Sequence, residues 1–247
     1  MDNVFYELFI RMPRQGPGDK ESTQKAFEMA GKLPVNPVII DMGCGTGCAA
    51  FDLARISGNR VYALDSYSPF IDKLNKTAGE MRLDHLVTGL TGDMGNPPFP
   101  KENFDLIWSE GAIYNLGFAN GLSCFMSYLR AGGVIAVTEA VWNKENPPSE
   151  IFDFWNSVYP DIKTVEENII VIKNCGLELI GHFTLSQKAW VENYYIPLEN
   201  ELRNIVAGYG GSMEVKMLEE QMTKEIMMYR KYGEYYGYEF FIMRKPD

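Results

Sequence analysis

Residues Asp41–Gly47 read "DMGCGTG", directly after the apolar run "PVII" at 37–40. Glycines at 43, 45 and 47 let the backbone turn tightly and approach a ligand, because no Cβ stands in the way. A glycine loop between a short strand and a helix is where an α/β sheet holds a nucleotide-like group. Beyond the loop the pattern alternates. "PVIID" (37–41), "RVYALD" (60–65), "HLVTGLTGD" (85–93), "FDLIWSE" (104–110) and "GGVIAVTEA" (132–140) read as strands. "GCAAFDLARISG" (47–58), "SPFIDKLNKTAGEM" (68–81) and "GLSCFMSYLR" (121–130) read as helices, with Ser68 as N-cap and Pro69 in the first helical position. This alternation predicts parallel strands with right-handed crossovers and helices on both faces. Asp41, Asp65, Asp93, Glu110 and Glu139 then fall at or near strand carboxyl ends, where such sheets bind ligands.

Outside this stretch, Asp19 caps an expected helix over 20–31, ended by Gly31 and Pro34 and approached through the rigid turn Gly16-Pro17-Gly18. After residue 142, "NKENPP" reads as a loop. "SEIFDFWNSVYP", "TVEENIIVIKNCG", "NELRNIVAGYG" and "EVKMLEEQMTKEIMMYRKYGEYY" read as helices, and "LELIGHFTL" (177–185) and "YEFFIMR" (238–244) as strands. There is no repeat, low-complexity tract or clear linker.

The 247 residues are 46% hydrophobic and 23% charged, a globular balance. Twenty-three Lys and Arg against 33 Asp and Glu give a formal charge of −10, with no basic cluster to offset it. Such a field repels phosphate backbones, so no nucleic-acid partner is expected. The four cysteines form no CxxC pair and the two histidines stand apart, so no metal site is expected. Free thiols fit a reducing cytoplasm. The start "MDNVFYELFI" lacks the basic residues and cleavage site of a signal peptide, and no apolar run approaches the roughly 20 residues needed to span a bilayer. A soluble cytoplasmic protein with no membrane partner is expected. The oligomeric state, a homodimer included, is left open.

Two cofactor classes compete for the glycine loop. The dinucleotide fingerprint G-x-G-x-x-G fails at its third glycine, where Cys48 stands. Asp41, two residues before the first glycine, would oppose a pyrophosphate but suits the cationic amino-acid end of S-adenosylmethionine. The loop residues Asp41, Gly43, Cys44, Gly45, Thr46 and Gly47 are therefore candidate contacts for that cofactor and for its product S-adenosylhomocysteine. Asp65, followed by Ser66, is placed to hold the ribose hydroxyls. In Gly92-Asp93-Met94 the carboxylate suits the adenine amino group, and Met94 suits the ring. Strand ends are polar in many proteins; it is the joint placement of these residues that favours S-adenosylmethionine over NAD.

"VIIDMGCGTG", "VYALD", "TGDM", "FDLIWSEGAIYNLGF" and "LRAGGVIAVTEAVW" resemble, in this order, the successive motifs of class I S-adenosylmethionine-dependent methyltransferases over residues 38–140. "MPRQGPGD", "WSEGAIYN", "FWNSVYP", "NYYIPLE" and "YYGYEFFIMRK" are similar to a bacterial and archaeal subgroup without a settled acceptor. The resemblance implies a Rossmann-like, doubly wound α/β sheet of seven strands, mostly parallel, with "YEFFIMR" inserted antiparallel. It implies ribose binding by Asp65, adenine-amino binding by Asp93, and methionine-moiety contacts around Asp41, Gly43 and Ser109. One domain over 1–247 is expected, with a cofactor-binding core at 36–142 and lid segments at 1–35 and 143–236 on the acceptor side.

"NPPF" at 96–99 looks like the signature of nucleic-acid amino-methyltransferases, but it precedes the fourth strand instead of ending it, so prolines in a loop explain it better. Methyl transfer from a sulfonium is an in-line displacement that asks the protein mainly for alignment and exclusion of water. An amine or thiolate acceptor needs little more, whereas a hydroxyl or carbon acid needs a base. Glu110 and Glu139 are the strand-end acids available for that work, and Glu110 with Tyr114 are the catalytic candidates. Glu110 suits touching the cofactor or bracing the loop better than it suits the part of a base. Tyr6, Arg14, Tyr114, Trp142, Trp155 and Tyr194 are candidates for an acceptor pocket. Rings and acids there suit a cationic amine, Arg14 and Gln15 suit a carboxylate or the cofactor, and plain lid packing suits the rings as well. The leading expectation is transfer of a methyl group to nitrogen or sulfur of a small molecule. The rival is a non-catalytic S-adenosylmethionine-binding module that engages a protein partner.

Overall fold

Among the described residues one sheet holds eight strands, seven of them side by side and a short eighth off their path. The computed structural model describes residues 2–209 and 211–247; Gly210, the last residue of the expected helix at 200–210, lies outside the described residues. The strands are β1 (Ile39–Met42), β2 (Val61–Asp65), β3 (Val87–Thr91), β4 (Phe104–Ser109), β5 (Leu129–Trp142), β6 (Lys163–Thr164), β7 (Glu178–Thr184) and β8 (Tyr236–Arg244), and the seven side by side take the order β3-β2-β1-β4-β5-β8-β7. The first five run parallel, as the alternation predicts, and β8 is the antiparallel insertion that the resemblance implies, lying between β5 and β7. The two-residue β6, which the sequence reading lacks, pairs with the tip of β5. Burial explains the strand runs: β1 and β4 are buried along their whole length, as central parallel strands covered on both faces are.

Helices α2 (Lys20–Ala30), α3 (Cys48–Ser57) and α4 (Ser68–Glu80) accompany one sheet face, where Leu53, Ile71 and Leu74 join Trp108 and Phe240. Helices α5 (Phe118–Tyr128) and α7 (Val165–Asn174) cover the other with Leu122, Phe125 and Ile172. Asp19 caps α2 as expected, accepting a hydrogen bond from the Ser22 N–H at 2.6 Å. Ser68 is not the cap of α4. It is the first helical residue and Tyr67 holds the cap position, because the Tyr67 N–H donates to Asp65 Oδ1 at 2.9 Å and sets the chain's entry one residue earlier. "NPPF" is a packed loop after β3, with Pro97 buried and Phe99 edge-on to Tyr62 and Phe104 at 5.2 and 5.0 Å.

A third layer assembles helix α1 (Asp2–Arg11), the helical run from α8 (Gln187–Trp190) through a wider π-helical turn (Val191–Tyr195) into α9 (Ile196–Tyr209), and α10 (Met213–Tyr232). Helix α6 (Ser149–Val158) joins them through Ile151 and Trp155. Beneath them β5 and β8 outrun their neighbours. Pairing of β5 with β4 ends at Ser109–Val137, whereas its pairing with β8 continues to Trp142–Tyr236. Among the described residues no helix is long and apolar enough to cross a membrane.

Candidate functional site

The glycine loop turns out of β1 with positive φ at all three glycines: +74° at Gly43, +53° at Gly45 and +95° at Gly47. That is the left-handed region in which a side chain is strained. Protein atoms also fill the space a Cβ would need. At Gly43 it would collide with the Ala112 methyl, at Gly45 with Gln15 Oε1, and at Gly47 it would lie 2.7 Å from Leu74. The loop is thus close-packed against its own fold as well as shaped to admit a ligand.

Around it stand the strand-end acids. Asp41 lies in β1 between Ala63 of β2 and Trp108 of β4. It is 1% exposed and its Oδ2 has no hydrogen-bond partner. Burial first, and then the charge on Glu110, push its carboxyl well above the usual carboxylate range, with Arg14 pulling the other way. Asp65 ends β2 and accepts from the Gly45 and Tyr67 N–H groups, both at 2.9 Å, which ties the loop to the second strand. Burial raises its carboxyl, partly offset by those amides and that of Ser66. Asp93 is exposed in the turn after β3 and accepts from the Gly95 N–H at 2.7 Å, beside Gly92 and Met94. Cys44 is buried within the loop. The Ser109 hydroxyl donates to the Met42 carbonyl at 2.8 Å and is fully buried, so it clamps the ends of β1 and β4 together.

Glu110 is the most heavily engaged residue here. Its carboxylate accepts from Thr23 Oγ1 at 2.7 Å and Trp108 Nε1 at 2.9 Å, and it pairs with Arg14. The Arg14 side chain is 13% exposed and that of Glu110 6%. Arg14 therefore meets a carboxylate of the protein itself. Gln15 bridges in the same way: its Oε1 accepts from the Thr46 N–H at 2.9 Å and its Nε2 donates to the Phe9 carbonyl at 3.0 Å. The segment 13–19 is a strap, fastened to the glycine loop, to the end of β4, and through Asn193 Nδ2–Gly18 O (3.0 Å) to the π-helical turn.

The aromatic candidates lie over these strand ends. Tyr6 of α1 stacks on Tyr67 at 4.0 Å, two residues past Asp65. Trp142 at the tip of β5 stacks on Phe152 at 6.4 Å, and Trp155 meets Tyr236 edge-on at 5.0 Å. Tyr194 is buried in the same cluster, and Tyr114, 42% exposed, meets Tyr159 at 6.0 Å. The structure thus gathers the glycine loop, Asp41, Asp65, Ser109, Glu110 and the strap at the ends of β1, β2 and β4, and Tyr6, Trp142, Trp155 and Tyr194 into the layer above. Sequence reasoning missed Thr23, Tyr238 and Glu225. Thr23 carries no motif, Tyr238 read only as the first residue of a strand, and Glu225 sits in a helix whose charges otherwise read as solvated.

Glu139 differs from the other acids. It lies inside β5, on the face covered by α5 and α7, and is 2% exposed with Oε2 unpartnered. Burial raises its carboxyl to about 7. The folded state therefore binds a proton that the unfolded chain releases near the ordinary glutamate value, so stability is lost as pH rises from about 4.5 to about 7. Glu139→Gln is expected to remove about 3 kcal/mol of the decline in unfolding free energy between pH 4 and pH 8. Denaturant titrations at both pH values check it, and equal pH slopes for the two proteins would refute it.

The donor set fits S-adenosylmethionine. A buried carboxylate with one orphaned oxygen lacks the counter-charge that an ammonium supplies, and it would only worsen beside a pyrophosphate. Asp65 keeps lone pairs for hydroxyl donors after its two backbone bonds.

Comparison with known proteins agrees. Residues 39–133 match the family described as "Methyltransferase domain". A sterol 24-C-methyltransferase of Gibberella zeae is 25% identical over 181 residues, 68% of this chain and 46% of that protein. The chain thus spans about half the length of the curated relatives it matches. Among solved structures, a SAM-dependent methyltransferase from Geobacter sulfurreducens in complex with S-adenosyl-L-homocysteine superposes with a TM-score of 0.84 at 19% identity, covering 98% of both chains. The [4+2]-cyclase SpnF superposes at 0.72 with 20% identity, covering 96% of this chain and 86% of that one, so the fold alone does not fix the chemistry. With a parallel sheet, one inserted antiparallel strand, and a glycine loop inside the matched stretch, the chain has the Rossmann-like fold of the methyltransferases it superposes on, and its residues 39–133 match the methyltransferase domain family.

Proposed function

We propose that the chain is an S-adenosylmethionine-dependent methyltransferase acting on a small-molecule acceptor, with nitrogen or sulfur as the favoured nucleophile. The observation that carries this reading is the orphaned, buried Asp41 carboxylate at the mouth of the positive-φ glycine loop, one strand away from Asp65. When bound, the cofactor supplies an electrophilic sulfonium methyl. Asp41 and the loop take its charged end, Asp65 the ribose, and Asp93 with Met94 the adenine. Ser109 and Glu110 keep the strand ends in register beneath it.

Glu110 has three donors on its carboxylate, which suits a brace better than a base. With that acid committed, the reading favours acceptors that attack with a lone pair already free, an amine or a thiolate. Arg14, held by Glu110, does not offer its charge to a carboxylated acceptor. The segments 1–35 and 143–236, with Tyr6, Tyr114, Trp142, Trp155 and Tyr194, form the acceptor side. The carbon acceptor in the name of the sterol relative belongs to that protein.

Calorimetric titration with S-adenosylhomocysteine, with NADH as control, tests the reading. Asp65→Ala is expected to weaken binding about 100-fold, the worth of one charge-assisted bond set. Heat from NADH alone, or none from S-adenosylhomocysteine, overturns it. Binding without turnover across an amine and thiol panel would favour the non-catalytic binding module.

A further inference from the structure

The aromatic layer over the strand ends contains one acid that the cofactor reading does not use. Glu225 lies on α10, and the Tyr195 hydroxyl donates to its Oε1 at 3.4 Å. No Lys or Arg pairs with it among the described residues, and burial raises its carboxyl to about 7. Part of its surface nevertheless stays accessible.

Tyrosines from three other elements stand within the reach of its charge. After burial, that charge pushes the hydroxyls of Tyr194 and Tyr195 in the π-helical turn, and of Tyr236 in β8, upward. It also acts on Tyr238 of β8 and on Tyr114, in the short helical turn after β4. The rings support one another: Trp190 lies 4.8 Å from Tyr238, and Tyr194 5.0 Å from Tyr195. Tyr238 reaches across to Gly111, where an added Cβ would meet its ring at 3.6 Å. The shell therefore abuts the residue that follows Glu110, on the side where the cofactor contacts converge. Tyr114, 42% exposed, leaves it open there.

We propose that this shell binds a cationic ammonium head group of the acceptor, with Glu225 as its counter-charge and Tyr114 and Tyr238, the rings that keep accessible surface, as ring faces. The assignment of that cation to the acceptor rests on the methyltransferase reading. The chemistry of the shell decides between ligand classes. An anionic acceptor would face Glu225 with no cation to screen it, and a neutral one would leave the carboxylate uncompensated in a poorly hydrated site. An ammonium satisfies it, and the ring quadrupoles attract the same charge. Glu225 acts by positioning, since the transferred methyl is held elsewhere.

The test titrates the purified protein with choline and with 3,3-dimethyl-1-butanol, its neutral isostere, each with and without S-adenosylhomocysteine. Choline is expected to bind about tenfold more tightly than the isostere, and Glu225→Gln to bring the two together. Because a bound cation lowers the Glu225 pKa, choline binding at pH 7 also releases protons, read as a dependence of the heat on buffer ionisation enthalpy. A structural role alone would not produce this. Equal affinities in the wild type, no binding of either, or binding without proton release overturns the proposal. If Glu225→Gln fails to fold, the wild-type comparison still decides. Titration with S-adenosylhomocysteine separates the two readings: its binding without choline preference sinks the cation shell alone, and its failure to bind sinks the methyltransferase reading whatever choline does.

Discussion

Arg14→Met is expected to destabilise the protein by about 3 kcal/mol. The Arg14–Glu110 pair is nearly buried on both sides, and removing one partner of such a pair leaves the other charge uncompensated, at a cost of about 3–5 kcal/mol. The lower figure applies because Glu110 keeps its bonds from Thr23 and Trp108. For a chain of this size that is a fall in Tm of about 10 °C. The double variant Arg14→Met/Glu110→Gln should recover most of it, since a glutamine oxygen still accepts from both donors and carries no charge. Thermal denaturation of the two variants is the check. A single variant that melts like the wild type would mean the strap is not fastened at Glu110. Strap and glycine loop meet at Gln15 and Thr46, so S-adenosylhomocysteine affinity should fall with the single variant and return with the double.

Gly43→Ala is expected to cost about 2–5 kcal/mol. The left-handed backbone contributes about 1–2 kcal/mol of this, and forcing a methyl against Ala112 about 1–3 kcal/mol. Ala112 leads into the turn that carries Tyr114, so relaxation would move the acceptor side of the site too. Gly58→Ala provides the control. Its φ of +64° is similar, yet nothing lies within 4 Å of an added Cβ. The difference in unfolding free energy between the two variants isolates the Ala112 contact; equal losses would assign the whole effect to the backbone.

The sheet was legible because its strands are short apolar runs between polar punctuation, and each run from "PVIID" to "YEFFIMR" is a strand in the expected order. Helix α1 was not read from the sequence: it follows the first residue with no capping signal before it, although Leu8 and Met12 are fully buried. The π-helical turn escaped as well. Periodicity arguments assume 3.6 residues per turn, and here two successive tyrosines, Tyr194 and Tyr195, are both buried. In the candidate site, the positions of Asp41 and Asp65, beside glycines and at strand ends, were legible. The engagement of Glu110 was not, because its partners Arg14 and Thr23 lie 96 and 87 residues away in sequence, and no local pattern records such a contact. Glu225 was hidden for the opposite reason. Its neighbours Lys224 and Glu219 are exposed, and only the tertiary fold turns this one acid inward.

The reach of β5 beyond β4 bears on how the molecule can open. From Thr138 to Trp142 the strand stays paired with β8, so the floor beneath the aromatic layer is a continuation of the central sheet. At about 3.3 Å per residue this projection is roughly 16 Å long. Swinging the upper half away as a rigid unit would mean rupturing that ladder, the most stable hydrogen-bonded part of a fold of this kind. Any opening of the site is therefore expected to come from the pieces held from above by side chains, namely α1, the strap and the run from α8 to α10. The expected behaviour is that of a fixed cup with a movable rim.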